Sequence, residues 1–145
     1  MMHAITERGR TLAIDWGDRR IGLAVSDPTG TVASPAGFIP RRLGKRAPIA
    51  ELVRRAGELA VVGVVFGLPL DEEGNDTPRT TEVRRVGSEL AKRTGLPVRF
   101  VDERYTTTIA LRTVRELGGS TRRRKGDVDS LAATVLLQHA LALSE

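Results

Sequence analysis

The chain has no cysteine. Disulfides, thiolate metal sites and cysteine nucleophiles are therefore excluded. Histidine is nearly absent as well, with His3 and His139 the only two in 145 residues. His3 lies in a stretch expected to fray, so a histidine-based triad or zinc site has little to draw on. Aromatic residues make up 3% of the chain, too few for a platform on which nucleotide bases stack. Long apolar runs are missing too. No segment approaches the roughly 20 residues that span a bilayer. Residues 1–10 lack the apolar core of a signal peptide. The expectation is a cytoplasmic protein without membrane contact.

What is present is an ordinary globular composition with unevenly placed charge. A hydrophobic fraction of 40% and a charged fraction of 28% fit one domain over residues 1–145, with a core large enough to fold alone. The formal charge is +5. Its excess gathers in two clusters, Arg41, Arg42, Lys45 and Arg46, and then Arg122, Arg123, Arg124 and Lys125. Asp71, Glu72, Glu73 and Asp76 form an acidic patch between them. Basic clusters beside glycines suggest arms that meet a polyanion, nucleic acid being the usual one; the plain alternative is a solvated loop.

Along the chain, residues 12–27 read as a β-hairpin: an apolar run ending in Asp15, a turn at Gly17, and an Ile/Val-rich return. Residues 31–39 read as a third strand, with Pro35 at an edge or bulge. A helix is expected over 48–59, where Ile49, Leu52, Val53, Ala56 and Leu59 recur at helical spacing. The β-branched run 61–66 predicts a strand buried on both faces, stopping at Gly67-Leu68-Pro69. A second helix follows from Pro78 to Thr94, capped by Asp76 or Thr77 and closed by Gly95. Residues 97–101 form a last strand. Helices are expected over 106–117 and 129–143, the latter apolar almost all round and hence well buried. The order β-β-β-α-β-α-β-α plus a C-terminal helix predicts an α/β protein with a mixed five-stranded sheet flanked by helices.

Ligands gather outside the carboxyl ends of parallel strands in such sheets. Asp15, Asp102 with Glu103, and Asp129 all fall on or beside that edge. Each has a plain reading: Asp15 opens and caps a turn, while Asp127 or Asp129 caps a helix. Together they suggest carboxylates converging on Mg²⁺ or Mn²⁺, hard ions that take oxygen ligands and serve phosphoryl displacement.

Several motifs occur in one order: Asp15-x-Gly17…Ile21-Gly22-x-Ala24, Gly67-Leu68-Pro69, Gly74…Pro78-x-Thr80, Asp102-Glu103-Arg104-x-Thr106-Thr107, and Lys125-Gly126-x-Val128-Asp129-Ser130-x-Ala132-Ala133. In this the chain resembles the YqgF/RuvX family over about residues 12–141. The resemblance implies an RNase H-like fold and a divalent-metal nuclease acting on structured nucleic acid, with 5′-end trimming of the 16S rRNA precursor as the proposed task. It implies Asp15, Glu103 and Asp129 as the catalytic, metal-binding acids, with Asp102 the alternative to Glu103. Neighbours in an extended strand point to opposite faces, so both cannot face one ion, and Glu103 is favoured for its reach. Asp127 is a weaker ligand candidate. Arg104 either contacts phosphate or pairs with a neighbouring carboxylate. Thr106 and Thr107 either bind phosphate or cap the following helix.

The chain also departs from the pattern. Phe66 replaces a usually smaller residue, which suggests local repacking rather than changed chemistry, and Asp71 and Tyr105 replace commoner residues away from the expected ligands. Related resolvases carry an acid where strand four ends, whereas this chain has Gly67-Leu68-Pro69. Its metal site must then be assembled differently. Three functions stay open: a nuclease on precursor rRNA working beside ribosomal particles, a resolvase of branched DNA acting as a homodimer rather than a monomer, and a non-catalytic nucleic-acid-binding assembly factor. The sugar-kinase and actin-like ATPases also carry an Asp-x-Gly hairpin, but they need a second, phosphate-binding half.

Overall fold

The computed structural model describes residues 9–41, 46–105 and 125–143, with backbone alone at 105 and 125–129. The helix expected over 106–117 lies outside the described residues. Strands β1 (Thr11–Trp16), β2 (Arg20–Ser26) and β3 (Ala33–Pro40) form an antiparallel meander. Helix α1 (Ile49–Glu58) then leads to β4 (Gly63–Leu68), and helix α2 (Pro78–Thr94) to β5 (Val98–Asp102). Glu103–Tyr105 make one turn of 3-10 helix, and α3 spans Lys125–Leu143. The five strands lie in the order β3-β2-β1-β4-β5, with β4 parallel to both β1 and β5. The mixed sheet expected from the sequence is present. Among the described residues, no helix is long and apolar enough to cross a membrane.

Alternation along the strands divides the core into two layers. Leu12, Ile14 and Trp16 of β1, with Leu23 and Phe66, face α1 and α2 and pack with Leu52, Val83 and Leu90. Ala13, Ala24, Val65 and Val101 face α3 and meet Ala133, Leu136, Leu137 and Ala140. Small residues on both sides let α3 lie close to the sheet, where dispersion contacts are strongest.

Helix α2 has the predicted limits because its signals are local. Thr77 is the N-cap, its side chain accepting from the Thr80 N–H while the Thr80 hydroxyl accepts from the Thr77 N–H. Gly95 closes the helix at φ 75°, a conformation glycine adopts without a Cβ penalty. Strand β3 is both an edge strand and irregular near Pro35, as the proline requires.

Three boundaries differ from expectation. β4 does not stop before Gly67: it pairs with β5 at Gly67↔Val101 and Leu68↔Asp102. Glycine here keeps the ladder and leaves space above it. α3 begins at Lys125, so Asp127 and Asp129 lie inside the helix rather than capping it. That helix is also not buried all round. Leu131 is 45% and Leu143 60% exposed, and the buried stripe runs through Ala133, Leu136, Leu137 and Ala140.

Candidate active site

Asp15 is the penultimate residue of β1 and pairs with Gly22 across the hairpin, so it belongs to the ladder and not to the turn. It shares a strand face with Ala13, which points at α3. Its side chain is fully buried. β1 and β4 are matched at Ile14↔Phe66, which makes Asp15 and Gly67 the next neighbours on that face, about 4.8 Å apart in strand spacing.

Glu103 follows the last residue of β5 and enters the 3-10 turn, 1% exposed. Its carboxylate lies over Gly67: a Cβ on that glycine would stand 2.7 Å from Glu103 Oε1 and 3.1 Å from Leu136 Cδ2. Glu103 thus extends across β4 on the face that bears Asp15. The space which an acid on strand four would fill is taken by an acid from the end of β5.

Asp102 is turned elsewhere. Arg104 Nε donates to both its carboxylate oxygens at 3.0 and 3.1 Å, and Arg104 Nη2 donates to Oδ2 at 2.7 Å. These bonds hold the Asp102 carboxyl below its usual pKa, because the guanidinium favours the charged form. Arg104 Nη1 also donates to the carbonyls of Asp71 and Glu72 at 3.3 and 3.1 Å. Of the two fates open to Arg104 from sequence, the structure shows pairing with a carboxylate. It ties the 3-10 turn carrying Glu103 to the loop after β4.

Asp129 stands in the second turn of α3, one helical turn before Ala133, which packs against the sheet. Its side chain and that of Asp127 lie outside the described residues. Among the described residues, no three His, Cys, Asp or Glu side chains form a group that could hold a metal ion. Asp15 and Glu103 are the buried acids among the described residues, set in a wall that is otherwise mostly apolar. Burying two carboxylates in such surroundings is costly unless a cation or donors compensate. An all-oxygen set of this kind suits a hard divalent ion.

The basic candidates divide. Arg41 is 16% exposed and structural: it donates to Glu82 Oε2 at 2.8 Å and to the Gly17 carbonyl at 3.0 Å, and it lies 4.7 Å from the centre of the Trp16 ring. Trp16 Nε1 donates to the other oxygen of Glu82 at 3.0 Å. Arg46 is exposed and lines a groove between α1 and α2 with Arg85 and Arg93, on the sheet face opposite the acids. Arg42, Lys45, Arg122, Arg123 and Arg124 lie outside the described residues, as do Thr106, Thr107 and the Lys125 side chain. Sequence reasoning missed the Trp16–Glu82–Arg41 cluster and the part played by Gly67. The missing strand-four acid was the signal for the second; the first had none.

A mixed sheet in this order, with buried acids at the carboxyl edge of its parallel strands and a helix across that face, defines an RNase H-like protein. Solved structures agree on the fold. RuvC of Thermus thermophilus, determined in complex with a Holliday junction substrate, superposes with a TM-score of 0.55 at 17% identity, over 93% of this chain and 95% of that one. A second Thermus thermophilus RuvC structure gives 0.52 at 15%, over 92% and 94%. The chain belongs to the RuvX family, described as Holliday junction resolvase, whose model matches residues 9–143. A Clavibacter michiganensis relative named "Putative pre-16S rRNA nuclease" is 40% identical over 133 residues, 92% of this chain and 83% of its own. A Streptomyces coelicolor relative of the same name is 41% identical over 137 residues, 92% and 80% of the two chains.

Proposed function

We propose that this protein is a divalent-metal-dependent endonuclease that hydrolyses phosphodiester bonds in the 5′ extension of precursor 16S rRNA. The observation that carries the reading is the pair of buried acids, Asp15 and Glu103, on one sheet face with Gly67 between their strands. The names of the relatives favour this substrate, whereas the family description, Holliday junction resolvase, supplies branched DNA as the alternative.

In this reading Asp15, Glu103 and Asp129 hold Mg²⁺ or Mn²⁺, and Asp102 does not. Such an ion, when bound, makes a nearby water more acidic and neutralises charge on the oxygens of the scissile phosphodiester. The protein supplies the rest. Asp15 is fixed by the β1 ladder and Glu103 by a turn anchored through Arg104, so both carboxylates are held before substrate arrives. The apolar wall of Ala13, Val65, Val101 and Leu136 keeps water away from one side of the acids and strengthens their attraction for a cation. Of the basic residues, Arg42 and Lys45 and the cluster Arg122, Arg123, Arg124 and Lys125 hold flanking phosphates, an attraction that weakens steeply as salt rises because binding releases counterions.

The test sets a 5′-extended 16S rRNA precursor fragment beside a four-way DNA junction, with Mn²⁺, Mg²⁺ or chelator, for wild type and Asp15→Asn. Metal-dependent cutting of the RNA that is lost in the variant is the expected result. Symmetric nicking of the junction alone makes the protein a resolvase. Absence of cutting on both substrates, or full cutting by Asp15→Asn, removes the carboxylate site and leaves a binding factor.

A further inference from the structure

Ser130 follows the third proposed acid in α3 and is 2% exposed. It lies where β2 and β3 fall out of step. Gly22 pairs with Phe38 and Ala24 with Pro35, so Leu23 alone opposes both Ala36 and Gly37. An extra residue of this kind is a β-bulge, and it interrupts the ladder. Gly37 adopts φ 86° there. The Ser130 hydroxyl serves three backbone groups at that point: it donates to the Leu23 carbonyl at 2.7 Å and accepts from the N–H groups of Ala36 at 3.0 Å and Gly37 at 3.2 Å. That is the full capacity of a hydroxyl, one donor and two acceptor sites. From the other side of the sheet Arg55 donates to the carbonyls of Ala36 at 3.2 Å and Phe38 at 3.4 Å. The bulge is thus held from both faces.

Most of α3 rests on the sheet through Ala, Leu and other apolar side chains, whose packing carries no direction and tolerates sliding. Hydrogen bonds fix the register. Among the described residues, two polar side chains of α3 supply them to β3 and the turn before it: Ser130 near the active edge, and Gln138 two turns on, which accepts from the Ala33 N–H at 3.0 Å and donates to the Thr31 carbonyl at 2.9 Å. Leu23, the residue Ser130 grips, directly follows Gly22, the cross-strand partner of Asp15. The helix turn carrying Asp129 is therefore tied, through one hydrogen bond and two covalent neighbours, to the backbone beside Asp15.

We propose that Ser130 is a positioning residue: by docking α3 into the β2–β3 bulge, its hydroxyl sets where the Asp129 carboxylate stands relative to Asp15 and Glu103. This rests on Asp129 being the third ligand of the proposed metal site. Loss of the hydroxyl lets the first turns of α3 shift while the apolar stripe still packs. Metal affinity then falls through Asp129.

The test is Mn²⁺ titration by calorimetry on the protein without nucleic acid, for wild type, Ser130→Ala, Asp129→Asn and the double variant. Gln138→Ala serves as a control for loss of an α3 anchor away from the acids. Ser130→Ala is expected to weaken Mn²⁺ binding about 10- to 100-fold, the range typical of outer-shell partners, with Gln138→Ala near wild type. In the Asp129→Asn background the Ser130→Ala effect should vanish. Equal weakening in both backgrounds would make Ser130 a purely structural residue and overturn the proposal, as would wild-type affinity in Ser130→Ala. Should Asp129→Asn itself bind Mn²⁺ like wild type, the three-acid site fails and the proposal falls with it. Because alanine leaves three backbone groups without the hydroxyl, the Leu23 carbonyl among them buried, Ser130→Cys is measured alongside; a thiol of similar size bonds weakly and keeps the site filled. Its Mn²⁺ affinity should lie between those of wild type and Ser130→Ala.

Discussion

The Glu103 carboxylate covers Gly67 so closely that a Cβ on the glycine would lie 2.7 Å from Oε1, inside van der Waals contact, with Leu136 closing the other side at 3.1 Å. The two residues are one solution to one problem: an acid from the end of β5 reaches the sheet face only if the strand beneath it carries no side chain. Gly67→Ala should therefore be more harmful to activity than to folding. A displacement near 1 Å at the acid is expected to cost about 10²-fold in single-turnover cleavage. Overpacking should lower stability by about 1–3 kcal/mol, read as a shift in the urea midpoint at unchanged m-value. Wild-type cleavage by Gly67→Ala would show that the placement of Glu103 does not matter to the reaction.

Neighbouring acids at the end of β5 should behave in opposite ways. Glu103 is buried over Gly67, whereas Asp102 is a quarter exposed and bound to Arg104. Glu103→Gln should lose metal-dependent cleavage by more than the roughly 10–100-fold that follows loss of an outer-shell partner. Asp102→Asn should stay within that range, since its effect passes through Arg104 and the turn. Parallel Mn²⁺-dependent cleavage rates for the two variants check this; the reverse ranking would assign the ligand role to Asp102.

The β2–β3 turn carries an acid-sensitive device of its own. The Asp27 carboxylate accepts from the Thr29 hydroxyl and from the N–H groups of Val32 and Thr31. These bonds, that of Thr29 foremost, hold its pKa well below the ordinary 3.8. A depressed folded-state pKa stabilises above the unfolded value and loses that stabilisation as pH falls through the folded one. The stability difference between wild type and Asp27→Ala should be constant from neutral pH to about pH 5 and shrink below about pH 4. Urea midpoints of the two proteins across that range test it, and a difference that grows on acidification would contradict it.

Elements whose limits are set by nearby residues were legible in the sequence. Thr77, Pro78 and Gly95 mark the ends of α2 through caps that involve no distant partner, and the helix has the expected span. β4 was cut short because glycine at position 67 reads locally as a terminator. Its purpose is set by Glu103, 36 positions on, and only the fold brings the two together. The start of α3 was missed for a similar reason, since Lys125-Gly126-Asp127 reads as loop by propensity while the packing of Ala132, Ala133 and Leu136 carries the helix through it. The two acids Asp15 and Glu103 were legible because carboxylates at strand ends stand out against apolar runs. Ser130 was not: a serine has many ordinary roles, and the bulge that gives this one its role is formed by strands more than 90 residues away.

Charge composition likewise grouped Arg41 with the phosphate-binding arms, but 41 positions later the chain supplies Glu82, which takes its guanidinium, and Trp16 lies beneath it. The cluster joins the ends of β1 and β3 to α2, so Arg41→Ala should destabilise the fold by about 2 kcal/mol, the scale of a charge-assisted hydrogen bond removed from a partly buried site. The remaining cations should act oppositely. Replacing Arg122, Arg123, Arg124 and Lys125 by alanine should leave the urea midpoint nearly unchanged and weaken RNA binding. The slope of log affinity against log salt should flatten by about 0.7 for each phosphate no longer neutralised on a single strand, or 0.9 on a duplex. Arg41→Ala, measured where the variant is folded, should leave that slope as it is in wild type. If Arg41→Ala flattens the slope while the four-residue variant does not, the phosphate-binding arm has been placed at the wrong end of the chain.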